Sequence, residues 1–129
     1  MRAIDTNVLV RFLTGDDKAQ ARAARALVEA GDIFIATTVL LESEWVLRSG
    51  YGLAPSRIVA ALRGFAGLPG VTVEEPARLA QALDWVSEGM DFADALHLAK
   101  AQGCSVFMSF DRKLIKFAHE RSPIPVLAP

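Results

Sequence analysis

Four carboxylates in this 129-residue chain stand inside runs that would otherwise be apolar core. Asp5 closes the first such run, Ile4-Asp5-Thr6-Asn7, and Asp111 closes Phe107-Met108-Ser109-Phe110-Asp111. Glu42 lies in Val39-Leu40-Leu41-Glu42, and Asp94 in Asp91-Phe92-Ala93-Asp94-Ala95-Leu96. A carboxylate in such surroundings is unfavourable unless positive charge meets it. No Lys or Arg in these runs answers the four, so the pattern points to a bound cation. Two ionised carboxylates ~5 Å apart at an effective dielectric of ~20 repel by roughly 3 kcal/mol. A divalent ion lets all four stay ionised near neutral pH, and an all-oxygen set of hard ligands favours Mg²⁺ or Mn²⁺ over zinc.

Each acid also has an ordinary reading. Asp5 can cap a helix beginning near Asn7, and Asp111 a helix starting at Arg112. Asp91 and Asp94 are spaced as a helix-start pair. Glu42 resists that treatment, because it interrupts a stripe of Val39, Leu40, Leu41, Trp45 and Val46. Singly these are weak signals; together they are a constellation.

The elements that must position the four follow from periodicity and punctuation. Strands are expected at Arg2–Ile4, Ile33–Ala36, Val71–Val73, Ser105–Met108 and Pro125–Leu127. Helices are expected at Asn7–Leu13, Asp17–Ala30, Thr38–Ser49, Pro55–Ala66, Pro76–Ser87, Phe92–Gln102 and Arg112–His119. Gly15, Gly31, Gly50, Gly67 and Pro69 stop them, and Thr38 and Pro55 open two of them. Strands alternating with helices imply an α/β fold: a three-layer sandwich, with a mostly parallel central sheet and helices on both faces. Ligands of such sheets bind beyond the carboxyl ends of the strands, which is where Asp5 and Asp111 fall. The two meet only if the first and fourth strands are neighbours, which the sequence permits without fixing.

These residues, in this order and spacing, resemble the PIN domain, and specifically the single-domain VapC-type ribonuclease toxins of prokaryotic toxin–antitoxin pairs. Ile4-Asp5-Thr6-Asn7-Val8-Leu9-Val10-Arg11 resembles the family's first motif, and Thr38 to Arg48 around Glu42 the second. Asp91-Phe92-Ala93-Asp94-Ala95-Leu96-His97-Leu98-Ala99 resembles the third and Ser109-Phe110-Asp111-Arg112 the fourth. The resemblance implies that Asp5, Glu42, Asp94 and Asp111 form an acidic quartet holding Mg²⁺ or Mn²⁺. It implies that the quartet hydrolyses RNA phosphodiester bonds. Thr6, Asn7 and Ser109 match polar neighbours positioned to hydrogen-bond the carboxylates or metal-bound water. An antitoxin protein and a homodimer are the partners this implies.

Other residues carry less. Arg112, Lys113 and Lys116 follow Asp111 closely enough to touch RNA phosphates, or form a solvated helix face. His97, three residues after Asp94, reads as a helix-surface or packing residue, and His119 as a helix C-terminal one. Trp45, Trp85 and Tyr51 read as core or dimer packing. Cys104 rules out an internal disulfide, suits a reducing cytoplasm and reads as a buried, inert thiol.

The totals agree with one domain over residues 1–129. No apolar run approaches the ~18 residues that span a bilayer, and the opening residues read as strand, not signal peptide. A net charge of −1 leaves no whole-chain field to attract nucleic acid, so any such contact is local. The 52% apolar share reads first as a full core and second as apolar surface for self-association; the homodimer that the resemblance also implies would use the helices of the Thr38–Ala66 region. Two other classes compete. A haloacid-dehalogenase-like phosphatase wants an aspartate at position 7, which is Asn7. A receiver-like Mg²⁺-binding signalling module wants a strand-end lysine, whereas Lys113 and Lys116 fall in a helical pattern.

Overall fold

In the computed structural model, which describes all of Met1–Pro129, the chain divides into two compact units, Met1–Pro76 and Ala77–Pro129. The first unit runs β1 (Arg2–Ala3), α1 (Thr6–Thr14), α2 (Lys18–Glu29), β2 (Ile33–Ile35), α3 (Thr37–Trp45), α4 (Pro55–Ala66) and β3 (Val71–Val73). Its sheet has the order β1-β2-β3, all parallel, with Ala3 opposite Phe34 and Ile35 opposite Val73. Central β2 is the apolar spine, with Ile33 and Ile35 fully buried. Around it are Leu9 from α1, Leu40 from α3, and Leu62 and Phe65 from α4, the Phe65 ring meeting Phe12 edge-on at 5.5 Å between centroids.

The turn into β3 needs glycine. Gly70 has φ +79°, and a Cβ there would lie 2.8 Å from the Gly31 Cα. That close approach lets the Gly70 carbonyl accept the Ile33 N–H at 2.8 Å and start the β2–β3 ladder.

The second unit holds most of α5 (Pro76–Ser87), then α6 (Phe92–Lys100), β4 (Phe107–Met108), α7 (Arg112–Ala118) and β5 (Val126–Leu127). Its two strands are parallel, with Phe107 opposite Val126 and Met108 opposite Leu127. Trp85, Phe92, Leu96 and Leu98 are buried in this half.

Element positions match the expectations within a residue or two, with informative exceptions. The helix expected over Thr38–Ser49 begins at Thr37 and changes character after Trp45, where Val46–Gly50 forms a wider π-type turn. Thr38 is not its cap. Ala36 holds the N-cap position without a side-chain bond, and the Glu74 carboxylate instead takes the Thr37 N–H at 3.0 Å. Trp45 is 58% exposed, so it is not core. Cys104 is exposed, because β4 starts only at Phe107 and Cys104 sits in the turn that follows Gly103, at φ +96°.

Candidate active site

In the first unit the parallel ladder ends at Ala3, and the chain turns at Asp5 into α1. Asp5 has extended backbone (φ −88°, ψ 165°), and its side chain accepts the Thr6 N–H at 2.8 Å. The capping role is therefore real, yet the carboxylate remains exposed and free to take a further partner. Thr6, the next residue, is buried and donates its hydroxyl to Glu42 Oε1 on α3. That bond ties α1 to α3 and fixes one carboxylate oxygen of Glu42 beside the Asp5 turn.

One expectation in this unit needs correction. Glu42 does not lie in a buried stripe; it is exposed, and the buried acid of α3 is Glu44. The helical phase decides this: α3 buries Leu40, Ser43 and Glu44, one face at i, i+3 and i+4. Glu44 is tolerated there because Arg48, one turn on, meets it at 2.9 Å. The Glu44–Arg48 spacing was visible in the sequence as an i, i+4 pair. Asn7 makes no hydrogen bond to a carboxylate. It lines a cleft of about 270 Å³ between α1 and α2, with Arg11 and Gln20.

In the second unit Asp111 ends the β4 segment and caps α7, its Oδ1 accepting the Lys113 N–H at 2.9 Å and the Leu114 N–H at 3.1 Å. Ser109 acts on the backbone: its Oγ accepts the Asp111 N–H at 3.0 Å, which shapes the turn and leaves the carboxylate to α7. Asp91 caps α6 in the same way, its Oδ2 accepting the Asp94 N–H at 3.1 Å.

Asp94 differs from all of these. It is half-buried in the first turn of α6, and its carboxylate has no hydrogen-bond donor. Burial, then the nearby charges of Asp91 and Asp111, push its carboxyl above the usual range, and His97 pulls weakly the other way. Asp91, Asp94 and Asp111 line one cavity of about 1080 Å³, with Lys113, Lys116 and Arg121 further along its wall. Lys113 thus stands in the same cavity as the acids, whereas Arg112 is exposed and outside it. His97 is exposed and remains a modulator of Asp94, not part of the cavity wall.

The PIN-domain family model matches residues 3–120, which takes in all four acidic motifs. This chain is a PIN-domain protein. No curated protein matches it. PIN membership carries the α/β fold class, a three-layer sandwich built on parallel strands, and a nuclease-like fold; PIN domains are typically nucleases that bind divalent metal ions and act on RNA. No helix is long and apolar enough to cross a membrane.

The donor chemistry of this PIN domain fits a hard divalent cation. Its candidate ligands are all carboxylate oxygens, and Asp94 lacks a donor while facing two further negative charges. They come in pairs, Asp5 with Glu42 beside Thr6, and Asp94 with Asp111 on one cavity. Within neither unit do three such side chains already stand in a metal-holding arrangement.

Proposed function

We propose that this PIN domain is a metal-dependent endoribonuclease, the toxin of a type II toxin–antitoxin pair. The observation that carries the reading is Asp94, an unpartnered, half-buried carboxylate beside Asp91 and Asp111 in a family of nucleases. Asp5, Glu42, Asp94 and Asp111 would be the residues that hold Mg²⁺ or Mn²⁺, in a chain read as a single domain over residues 1–129. Such an ion, when bound, supplies an activated water and charge stabilisation for the phosphoryl oxygens.

The chain's own residues supply the remainder. Thr6 holds Glu42 in one orientation, so that carboxylate is positioned before substrate arrives. Asp94, whose carboxylate has no donor of its own, is free to orient the attacking water and draw its proton. Lys113, on the same cavity wall as Asp94, offers a cation to an RNA phosphate. Arg112 lies outside the cavity and serves only a strand passing along the α7 surface. The cognate antitoxin binds the folded toxin in the cytoplasm. The chain pairs as a homodimer through the Thr38–Ala66 region, where Trp45 is 58% exposed.

The test is RNA cleavage by the purified chain with Mg²⁺, with Mn²⁺ and with EDTA. Cleavage is expected only with metal, and Asp5→Asn and Asp94→Asn are each expected to lower it by about 100-fold or more while circular dichroism stays unchanged. Full activity of Asp94→Asn in Mg²⁺ sinks the assignment. A monomer by light scattering at micromolar concentration removes the dimer.

A further inference from the structure

We infer that the outer flank of α2 is the surface on which the first unit grips a single-stranded RNA backbone, through Lys18, Arg22 and Arg25. This rests on the nuclease reading above and says where its substrate is held. The three cations fall at i, i+4 and i+7, one face of a helix, and span about 10 Å along its axis. All three are exposed, and none makes an ion pair or a side-chain hydrogen bond. The acids closest in sequence are already engaged: Asp16 accepts from the Tyr51 hydroxyl at 2.8 Å, and Asp17 accepts the Gln20 N–H at 3.0 Å. Glu29 lies one turn after Arg25, but the two form no salt bridge.

Helix stability does not account for this pattern. A helix dipole favours acids in the first turn and cations in the last, yet α2 opens on Lys18 and closes on Glu29. The cation that its C-terminal end calls for comes from outside, where Arg2 donates to the carbonyls of Leu27 and Gly31 at 3.3 and 2.6 Å. The exposed residues interleaved with the three cations are Ala19, Gln20, Ala23 and Ala26; three are alanines, and the Gln20 side chain is turned to Arg11 on α1, so no acidic side chain lies between the cations. The inner face, Ala21, Ala24 and Val28, is buried and keeps the helix in place. A chain of net charge −1 attracts polyanions only through such a local row.

The row also has a direction. Arg11 on α1 donates to the Gln20 side chain on α2 at 2.8 Å, and Asn7 and Val8 share a cleft with Ala24 and Leu27. The two helices are therefore antiparallel, which sets Arg25 level with the Asp5 turn and Lys18 at the far end. A strand laid on this row leads toward Asp5. One row on one helix suits a single strand better than the paired backbones of a duplex.

The experiment measures binding of fluorescent single-stranded RNA oligonucleotides to the full chain over a salt titration, with Lys18→Gln, Arg22→Gln, Arg25→Gln and the triple variant. Glutamine keeps the helix propensity while removing the charge. Three phosphate contacts at about 0.7 each predict that the slope of log affinity against log salt shrinks by about 2 in the triple variant. In cleavage assays the loss falls on KM and not on kcat. Arg25→Gln weakens even short oligonucleotides, and Lys18→Gln weakens only longer ones. Should the triple variant misfold by circular dichroism, the single variants carry the same graded test. An unchanged slope and affinity overturn the proposal, as does loss of poly-glutamate binding with RNA binding intact, which assigns the row to an acidic protein. A wild-type chain that neither binds nor cuts RNA overturns the nuclease reading instead.

Discussion

The two units keep their acids by different means. In the first, Asp5 takes a backbone N–H and Glu42 takes the Thr6 hydroxyl, so neutral donors hold both carboxylates. In the second, Asp111 is equally well supplied by α7, but Asp94 is half-buried with no donor and two like charges near it. Hydrogen bonds to neutral donors fix direction without neutralising charge. The first pair is thus oriented in advance, and the second is where charge is left over. A cation would relieve both pairs, the second more, because burial adds to its charge. The contrast predicts that hydrogen bonds tune the Asp5–Glu42 half, while metal binding decides the Asp94 half.

The largest effect expected from breaking this contrast is at Thr6. Thr6→Val keeps the shape of a buried side chain and removes the donor to Glu42. Metal-dependent cleavage should fall by about 10- to 100-fold, the usual range for losing a partner that orients a ligand. Thr6→Ser, which keeps the hydroxyl, should restore most of it. If Thr6→Val cuts RNA as fast as wild type, Glu42 needs no orientation and the first pair is not pre-set.

The second effect concerns stability without metal, and its sign follows from the raised carboxyl of Asp94. Below the ordinary aspartate value of 3.8 the group is protonated in both states and contributes nothing. As pH rises from there through the higher folded value, the folded state holds the proton longer than the unfolded one. Folding is therefore progressively disfavoured across that window, and above it the penalty is constant. In EDTA, Asp94→Asn should melt above wild type at pH 7, with the gap closing as pH falls toward 4. Saturating Mg²⁺ should shrink the gap from the other side, by stabilising wild type alone. A wild-type protein more stable than Asp94→Asn in EDTA at neutral pH contradicts the picture of uncompensated charge.

Much of this was legible in the chain itself. Val71–Val73, Pro55–Ala66 and Pro76–Ser87 were readable to the residue because glycine or proline bounds them. The capping roles of Asp5, Asp91 and Asp111 were legible because a cap is a local contract between one side chain and the next turn. What failed is what depends on phase or on distant partners. Glu42 and Glu44 are two residues apart, and the phase of α3 against the core decides which of them faces inward, the Arg48 pairing being the one local sign. Glu44 tolerates the buried position because Arg48 follows it by one turn. Cys104 looked like core because Val106 and Phe107 follow it, but the strand starts only after the Gly103 turn. The want of partners along the α2 row appears only when every neighbouring acid has been placed.

The smallest effect sharpens the second pair by separating Asp91 from Asp94. Asp91 has a defined task, accepting the Asp94 N–H at 3.1 Å to start α6. Its charge is incidental to that task and adds to the burden on Asp94. Asp91→Ser keeps a capping oxygen and removes the charge, so thermal stability should stay within about 0.5 kcal/mol of wild type, whereas Asp91→Ala should lose about 1 kcal/mol. With one like charge gone, the Asp94 carboxyl should move down toward the usual range, because the second of its raising causes has been removed. Cleavage by Asp91→Ser should therefore persist, with its acidic limb displaced slightly to lower pH. Should Asp91→Ser fold normally and yet be as inactive as Asp94→Asn, then Asp91 holds metal. The surplus charge of this half would then belong to three carboxylates acting together, and the capping bond would be a by-product of their crowding.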